Sequence, residues 1–218
     1  DAWWGGKTPW EKATLRILTN DPARVAALLA GDIQVIENAP TSDISRLKSD
    51  KNLSIARVGS NRLIYLHMDS NRDVAPFITD KAGKPLAKNP LKDARVRKAI
   101  SLAINRDAIV GKVMEGEAVA AGQPLPDGYP GTSKNLKRDK FDATAAKKLL
   151  ADAGYPDGFG ITIHAPNNRY VNDEQIAQAI AQMLTRVGIA TKVEAMPSSV
   201  YFTRATKLDF SLMLLGWS

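Results

Sequence analysis

The 218-residue chain contains no cysteine, which excludes disulfides and thiolate metal sites and fits an oxidising compartment. Its two histidines, His67 and His164, lie far apart, each inside an apolar strand-like run. Both are expected to be buried and satisfied, so a directly coordinated metal is disfavoured and no cofactor is expected. No apolar stretch reaches the roughly 18 residues of a membrane helix; the longest, Phe210 to Trp217, is strand-sized. HExxH helices, Walker loops, GxGxxG turns and GxSxG elbows are all missing. Asp21, Asp93, Asp142 and Glu174 stand at helix starts, where capping accounts for them without an active site. Catalysis is therefore not expected. A hydrolase or transferase with an unrecognised site is the alternative reading.

What is present is an ordinary globular composition, 44% hydrophobic and 24% charged, with a net charge of +7. Residues 1–60 carry 8 basic and 7 acidic side chains, and residues 61–218 carry 22 and 16. A local cluster stands at Lys134, Lys137, Arg138, Lys140, Lys147 and Lys148. Nucleic-acid binding normally interleaves aromatic residues with such charge. Phe141 is the one aromatic residue within it and no nucleic-acid-binding motif accompanies it, so no nucleic-acid partner is expected and the cluster reads as solvated surface.

The pattern along the chain predicts an α/β layer fold. Residues 1–60 read β-α-β-α-β. Strands are expected around Leu15 and Ile17, around Ile33 to Ile36, and around Leu53 to Val58. The first helix is capped at Asp21 and closed by Gly31, and the second is capped at Thr41. Three strands and two helices bury too little to be comfortable alone, which predicts that the chain is part of a larger protein. Beyond them, Leu63 to Met68 forms a strand, and residues 69–89 are loop-like. Asp93 and Asn105 cap two consecutive helices. The first buries Val96, Ala99, Ile100, Ala103 and Ile104; the second uses Ile109, Val110, Val113 and Met114. Arg95, Arg97, Lys98 and Arg106 fall off the stripe and read as a solvated basic face. Asp142 caps a helix ending at Gly154, and Ile161 to Ala165 alternate as a strand. Asn172 and Gln175 form a capping-box pair opening a helix that Gly188 ends. A strand at 192–195, a short helix at 198–207 and a strand at 210–215 complete the order.

Arg169 and Tyr170 occupy the loop between a strand's carboxyl end and a capped helix, the edge where α/β sheets collect ligands. A guanidinium there suits a bidentate grip on a carboxylate; the alternative is a solvated loop arginine. Trp217, after Gly216, is either a pocket wall or a core residue.

Several of these segments carry a resemblance. Pro90, Asp93, Arg95, Val96, Arg97, Ala99, Ile100, Ala103, Ile104, Arg106 and Ile109 fill the pattern P-x-x-D-x-R-V-R-x-A-I-x-x-A-I-x-R-x-x-I without a gap. Ala26 to Ile33, Pro124 to Tyr129, Lys147 to Phe159, Val187 to Ile189 and Gly216-Trp217 match further segments of the same family. Trp3-Trp4-Gly5-Gly6-Lys7-Thr8-Pro9 is similar to its Y-W-G-G-K-x-P turn and reads as structural. The chain resembles the extracellular solute-binding proteins of the peptide/nickel type, family 5, the receptors of ABC importers.

The resemblance implies a periplasmic-binding-protein type II-like fold, with residues 1–62 a partial first lobe and 63–218 most of the second. It implies capture of a small solute, foremost a di- or oligopeptide, between two lobes and its delivery to a membrane permease. The full-length protein would be a periplasmic or extracellular, membrane-associated monomer. It implies that Arg169 takes a peptide's terminal carboxylate, with Tyr170, Gly216 and Trp217 alongside. An acidic segment that holds the ligand's amino group, and the return to the first lobe, would follow Ser218. No signal peptide is visible in a chain that opens Asp1-Ala2-Trp3-Trp4, so export is expected on a longer precursor, and these residues alone are expected to bind solute weakly.

Overall fold

A computed structural model describes residues 4–7 and 9–218. Trp3 and Thr8 of the tryptophan-glycine turn lie outside the described residues. The chain divides into two units, residues 1–53 and 54–218. The boundary precedes the 62/63 division read from the sequence by nine residues, and residues 54–62 are irregular.

The first unit holds helices α1 (Asp21–Leu29) and α2 (Thr41–Ser49). Asn20, not Asp21, caps α1, its side chain accepting from the Ala23 amide at 2.9 Å. Pro40, not Thr41, precedes α2, and no side chain caps that helix. The three strands expected here are absent among the described residues. Leu15, Ile17, Val35 and Val58 are instead more than four-fifths exposed. Alternation marks a face to bury, but a strand also needs a neighbour for its backbone N–H and C=O groups, and these segments have none here.

The second unit is built on β1 (Leu63–Met68), β2 (Ile78–Thr79), β3 (Phe159–Pro166), β4 (Ile189–Met196) and β5 (Leu212–Trp217). Central β3 pairs in parallel with β4 along its whole length. On its other edge it meets antiparallel β2 at 160–161 and parallel β5 at 163–164. Antiparallel β1 extends the sheet beyond β5.

Helices α3 (Ala94–Ala103), α4 (Arg106–Lys112) and α5 (Ala143–Asp152) precede β3. Asp93, Asn105 and Asp142 cap them as their sequence positions predict. Helix α6 (Asp173–Arg186) joins β3 to β4 and ends at Gly188, whose φ of +103° costs an L-residue more than glycine. Helix α7 (Ser198–Thr206) joins β4 to β5.

Phe159, Ile161, Ile163 and Ala165 of β3 point into one core with Val96, Ile100 and Ala103 of α3, Leu150 of α5 and Leu184 of α6. The alternate face carries His164 and a smaller cluster of Met196, Tyr201 and Phe210 beneath α7. Helices thus cover both faces. The reason is handedness: β4 and β5 lie on opposite edges of β3, so right-handed crossovers in opposite directions place α6 and α7 on opposite faces.

Three local expectations change. Arg97 and Arg106 are half-buried, donating to backbone carbonyls of Leu91 and Ser101, while Arg95 and Lys98 are exposed. His67 is exposed, because β1 is an edge strand with one free side. Asn172 makes no cap: it adopts φ +54°, tolerable for asparagine, and its Nδ2 donates to the Val113 carbonyl at 2.8 Å.

Ile163 has no exposed surface. Ile163→Ala is expected to cost about 2–5 kcal/mol and Asp142→Ala about 1 kcal/mol, read from urea midpoints at constant m-value.

Candidate functional site

The helices following β3 and β4 leave to opposite faces, which makes the carboxyl ends of these two strands a topological switch point. That is where ligands bind in doubly wound sheets. The loop 167–172 borders it, and three contacts fix its shape. The Asn167 amide continues the ladder by donating to the Met196 carbonyl at 3.0 Å. Asn168 Oδ1 accepts from the Ser198 amide at 2.8 Å, so the loop supplies the first turn of α7 with the side-chain acceptor its own N-cap residue Pro197 lacks. Asp173, 3% exposed, accepts from the Arg169 and Tyr170 amides, each at 3.0 Å, through one oxygen. Its other oxygen accepts from the Glu174 amide at 3.0 Å. A carboxylate so buried is tolerable because backbone N–H groups and the start of α6 compensate it.

Held this way, Arg169 projects an exposed side chain whose guanidinium carbon lies 5.3 Å from the Tyr170 ring centre. It forms no ion pair among the described residues, so its charge is available. The Tyr170 ring lies across Gly216: a Cβ there would come within 2.6 Å of the ring on one side and 2.9 Å of Ile64 Cδ1 on the other. Gly216 is therefore the position that lets the tyrosine reach the sheet. Trp217, one residue on and paired with Leu63, is 72% exposed at the end of β5.

Arg169, Tyr170 and Gly216 are thus brought together, and Trp217 stands at the rim. Asp173 and Asn168 escaped the sequence reading. An aspartate at a helix start was legible only as a cap, and the partner of Asn168 lies 30 residues away.

Beneath α7, His164 is fully buried, stacked on Phe210 with ring centres 4.1 Å apart and meeting Phe77 edge-on at 4.6 Å. Its Nε2 lies 3.2 Å from a Glu194 oxygen, but neither ring nitrogen makes a well-aligned hydrogen bond. The other Glu194 oxygen takes the Arg204 guanidinium at 2.6 Å, and Arg204 also lies over Phe210. Loss of hydration pushes the His164 pKa below its ordinary value, outweighing the attraction of Glu194. Among the described residues, no group of three or more His, Asp or Glu side chains is placed to hold a metal ion.

The second unit is thus an α/β sheet wound to both faces, with an exposed guanidinium in the loop after its central strand. Solved type II periplasmic binding proteins share its fold. The chain aligns with the periplasmic binding protein DppA of Helicobacter pylori in complex with the peptide STSA at TM-score 0.70 and 26% identity, covering 93% of this chain and 36% of that one. It aligns with a dipeptide binding protein of Pseudoalteromonas sp. SM9913 in complex with Met-Leu at TM-score 0.74 and 23% identity, covering 93% and 37%.

The whole chain, residues 1–218, matches the family described as bacterial extracellular solute-binding proteins, family 5 Middle, and it belongs to that family. It is 27% identical to the dipeptide-binding protein of Escherichia coli (strain K12) and 26% identical to heme-binding protein A of Haemophilus influenzae. These alignments cover 100% and 99% of this chain but only 38% and 37% of the relatives. Among the described residues, no helix is long and apolar enough to cross a membrane.

The pH dependence of stability follows from His164. Its folded pKa is lowered, so the unfolded chain binds the extra proton first as pH falls. Stability is expected to hold above about pH 6.5, the ordinary histidine value, and to decline below it. Loss of that slope in His164→Phe, measured by urea unfolding between pH 7 and 5, checks the assignment. An unchanged slope contradicts it.

Proposed function

We propose that the protein carrying these 218 residues is the solute-capturing component of an ABC importer. It binds a small peptide without chemistry and releases it intact to a membrane permease, working in the periplasm. The observation that carries this is the exposed Arg169 guanidinium in the loop after β3, which forms no ion pair among the described residues and lies against Tyr170. A peptide's terminal carboxylate fits it: its two oxygens meet a planar fork of donors, on a loop that leads into the start of α6.

Tyr170 and Trp217 offer apolar surface for a ligand side chain next to that anchor. Relatives named for dipeptides, di/tripeptides and glutathione support a ligand with a free carboxylate. Residues 1–62 contribute to a first lobe and 63–218 to a second. The lobes close because the ligand gains contacts with both at once.

Arg169→Ala is expected to weaken binding of a dipeptide such as Met-Leu roughly 10- to 100-fold, the worth of hydrogen bonds to a charged group. The same ligand with an amidated carboxyl end should bind wild type and variant alike. Calorimetry showing equal affinity of both proteins for the free acid would overturn the assignment.

A further inference from the structure

The charge of this protein is unevenly placed. Residues 88–148 hold 13 basic and 7 acidic side chains, while the remaining residues between 61 and 218 hold nine of each. The whole excess of residues 61–218 therefore belongs to the stretch from Lys88 to Lys148, which holds the approach to α3, helices α3 and α4, the long connection and the first part of α5. The structure gathers these segments. Lys98 of α3 pairs with Asp139, Arg138 pairs with Asp107 of α4 at 2.6 Å, and the Asp142 amide donates to the Leu102 carbonyl at 2.9 Å. Residues 138–142 are thereby laid over the end of α3 and the start of α4, on the helical layer that covers one face of the sheet.

The two kinds of cation are used differently there. All four arginines of the region are engaged within the protein: Arg95 with Asp93, Arg97 with the Leu91 carbonyl, Arg106 with Ser101 and Arg138 with Asp107. Lys134, Lys137, Lys140, Lys147 and Lys148 are exposed and form no ion pair among the described residues. Leu136 and Phe141, 59% and 50% exposed, interrupt the same run of lysines. The rigid planar forks of the arginines are thus consumed internally, Lys92 and Lys98 pair with Asp73 and Asp139, and these five lysines remain as flexible point charges.

We propose that this face binds the anionic headgroups of a lipid bilayer. Lysine ammonium groups would lie in the negative surface potential, with Leu136 and Phe141 touching the interface. Such a field needs no pocket and acts over about one Debye length, roughly 10 Å at 0.1 M salt. It would hold the protein near a membrane reversibly and turn its search for a membrane-embedded partner into a search over a surface. The inference stands on the charge distribution and not on Arg169, so either can fail without the other.

The test is cosedimentation of the full chain with vesicles of phosphatidylglycerol and phosphatidylcholine, against vesicles of phosphatidylcholine alone, at 50 mM and 500 mM salt. The expected result is retention by the anionic vesicles at low salt only. It should weaken about fivefold per lysine in Lys134→Ala/Lys137→Ala/Lys140→Ala and in Lys147→Ala/Lys148→Ala. Lys81→Ala/Lys84→Ala, exposed lysines outside the region, should bind as wild type. Circular dichroism confirms that each variant is folded. Equal retention by neutral vesicles, or equal loss in the Lys81/Lys84 control, overturns the proposal. So does absence of retention at low salt, which would instead leave an acidic protein surface as the partner of this face.

Discussion

The organisation of the second unit depends on one strand that is buried on both faces and paired along both edges. Strand β4 pairs with β3 along its whole length on one side, β2 and β5 take residues 160–161 and 163–164 on the other, and the chain leaving its carboxyl end passes through the loop 167–172 into α6. Right-handed connection then fixes where that helix goes. Placement of β4 and β5 on opposite edges forces α6 and α7 to opposite faces, and the switch point at the strand ends follows. The position of Arg169 is thus a consequence of topology, and its charge is the one part of the arrangement that chain geometry does not require.

A second layer of constraint turns that position into a fixed orientation. Asp173 spends both its oxygens on backbone N–H groups of the loop and helix start, and Asn168 spends its own on α7. Neither faces outward with a free charge. What remains outward is a guanidinium against an aromatic ring, with glycine at 216 to let the ring sit close. A surface loop would ordinarily sample many shapes. Here the Arg169 and Tyr170 amides are satisfied by Asp173, the Asn167 amide by the Met196 carbonyl, and Asn168 ties the loop to α7, so the cost of ordering it falls on folding and not on ligand capture.

Much of this was legible in the sequence. The i, i+3, i+4 stripe of Val96, Ala99, Ile100 and Ala103 is buried as its spacing demands, and Asp93, Asn105 and Asp142 cap as placed. The strand-to-helix loop carrying Arg169 lies where its neighbours predict, because a buried strand followed by an amphipathic helix leaves few alternatives. The family resemblance likewise agrees with the match over residues 1–218. Less legible were contacts between distant residues. Asn172 has the type and spacing of a capping box, yet a tertiary acceptor on Val113 competes for its amide and wins. His67 and His164 share similar apolar surroundings in sequence, but one lies on an edge strand and the other on the central strand. Leu15 and Ile17 alternate correctly and remain solvated, since alternation describes side chains while a strand requires hydrogen-bonding neighbours.

The central claim is that a ligand's carboxylate is held at the carboxyl ends of β3 and β4. A crystal structure of the protein bound to Met-Leu tests it most directly. The account predicts both carboxylate oxygens within about 3 Å of the Arg169 guanidinium nitrogens, with a ligand side chain against Tyr170. A dipeptide bound elsewhere, or bound with its carboxylate turned away from Arg169, would contradict it.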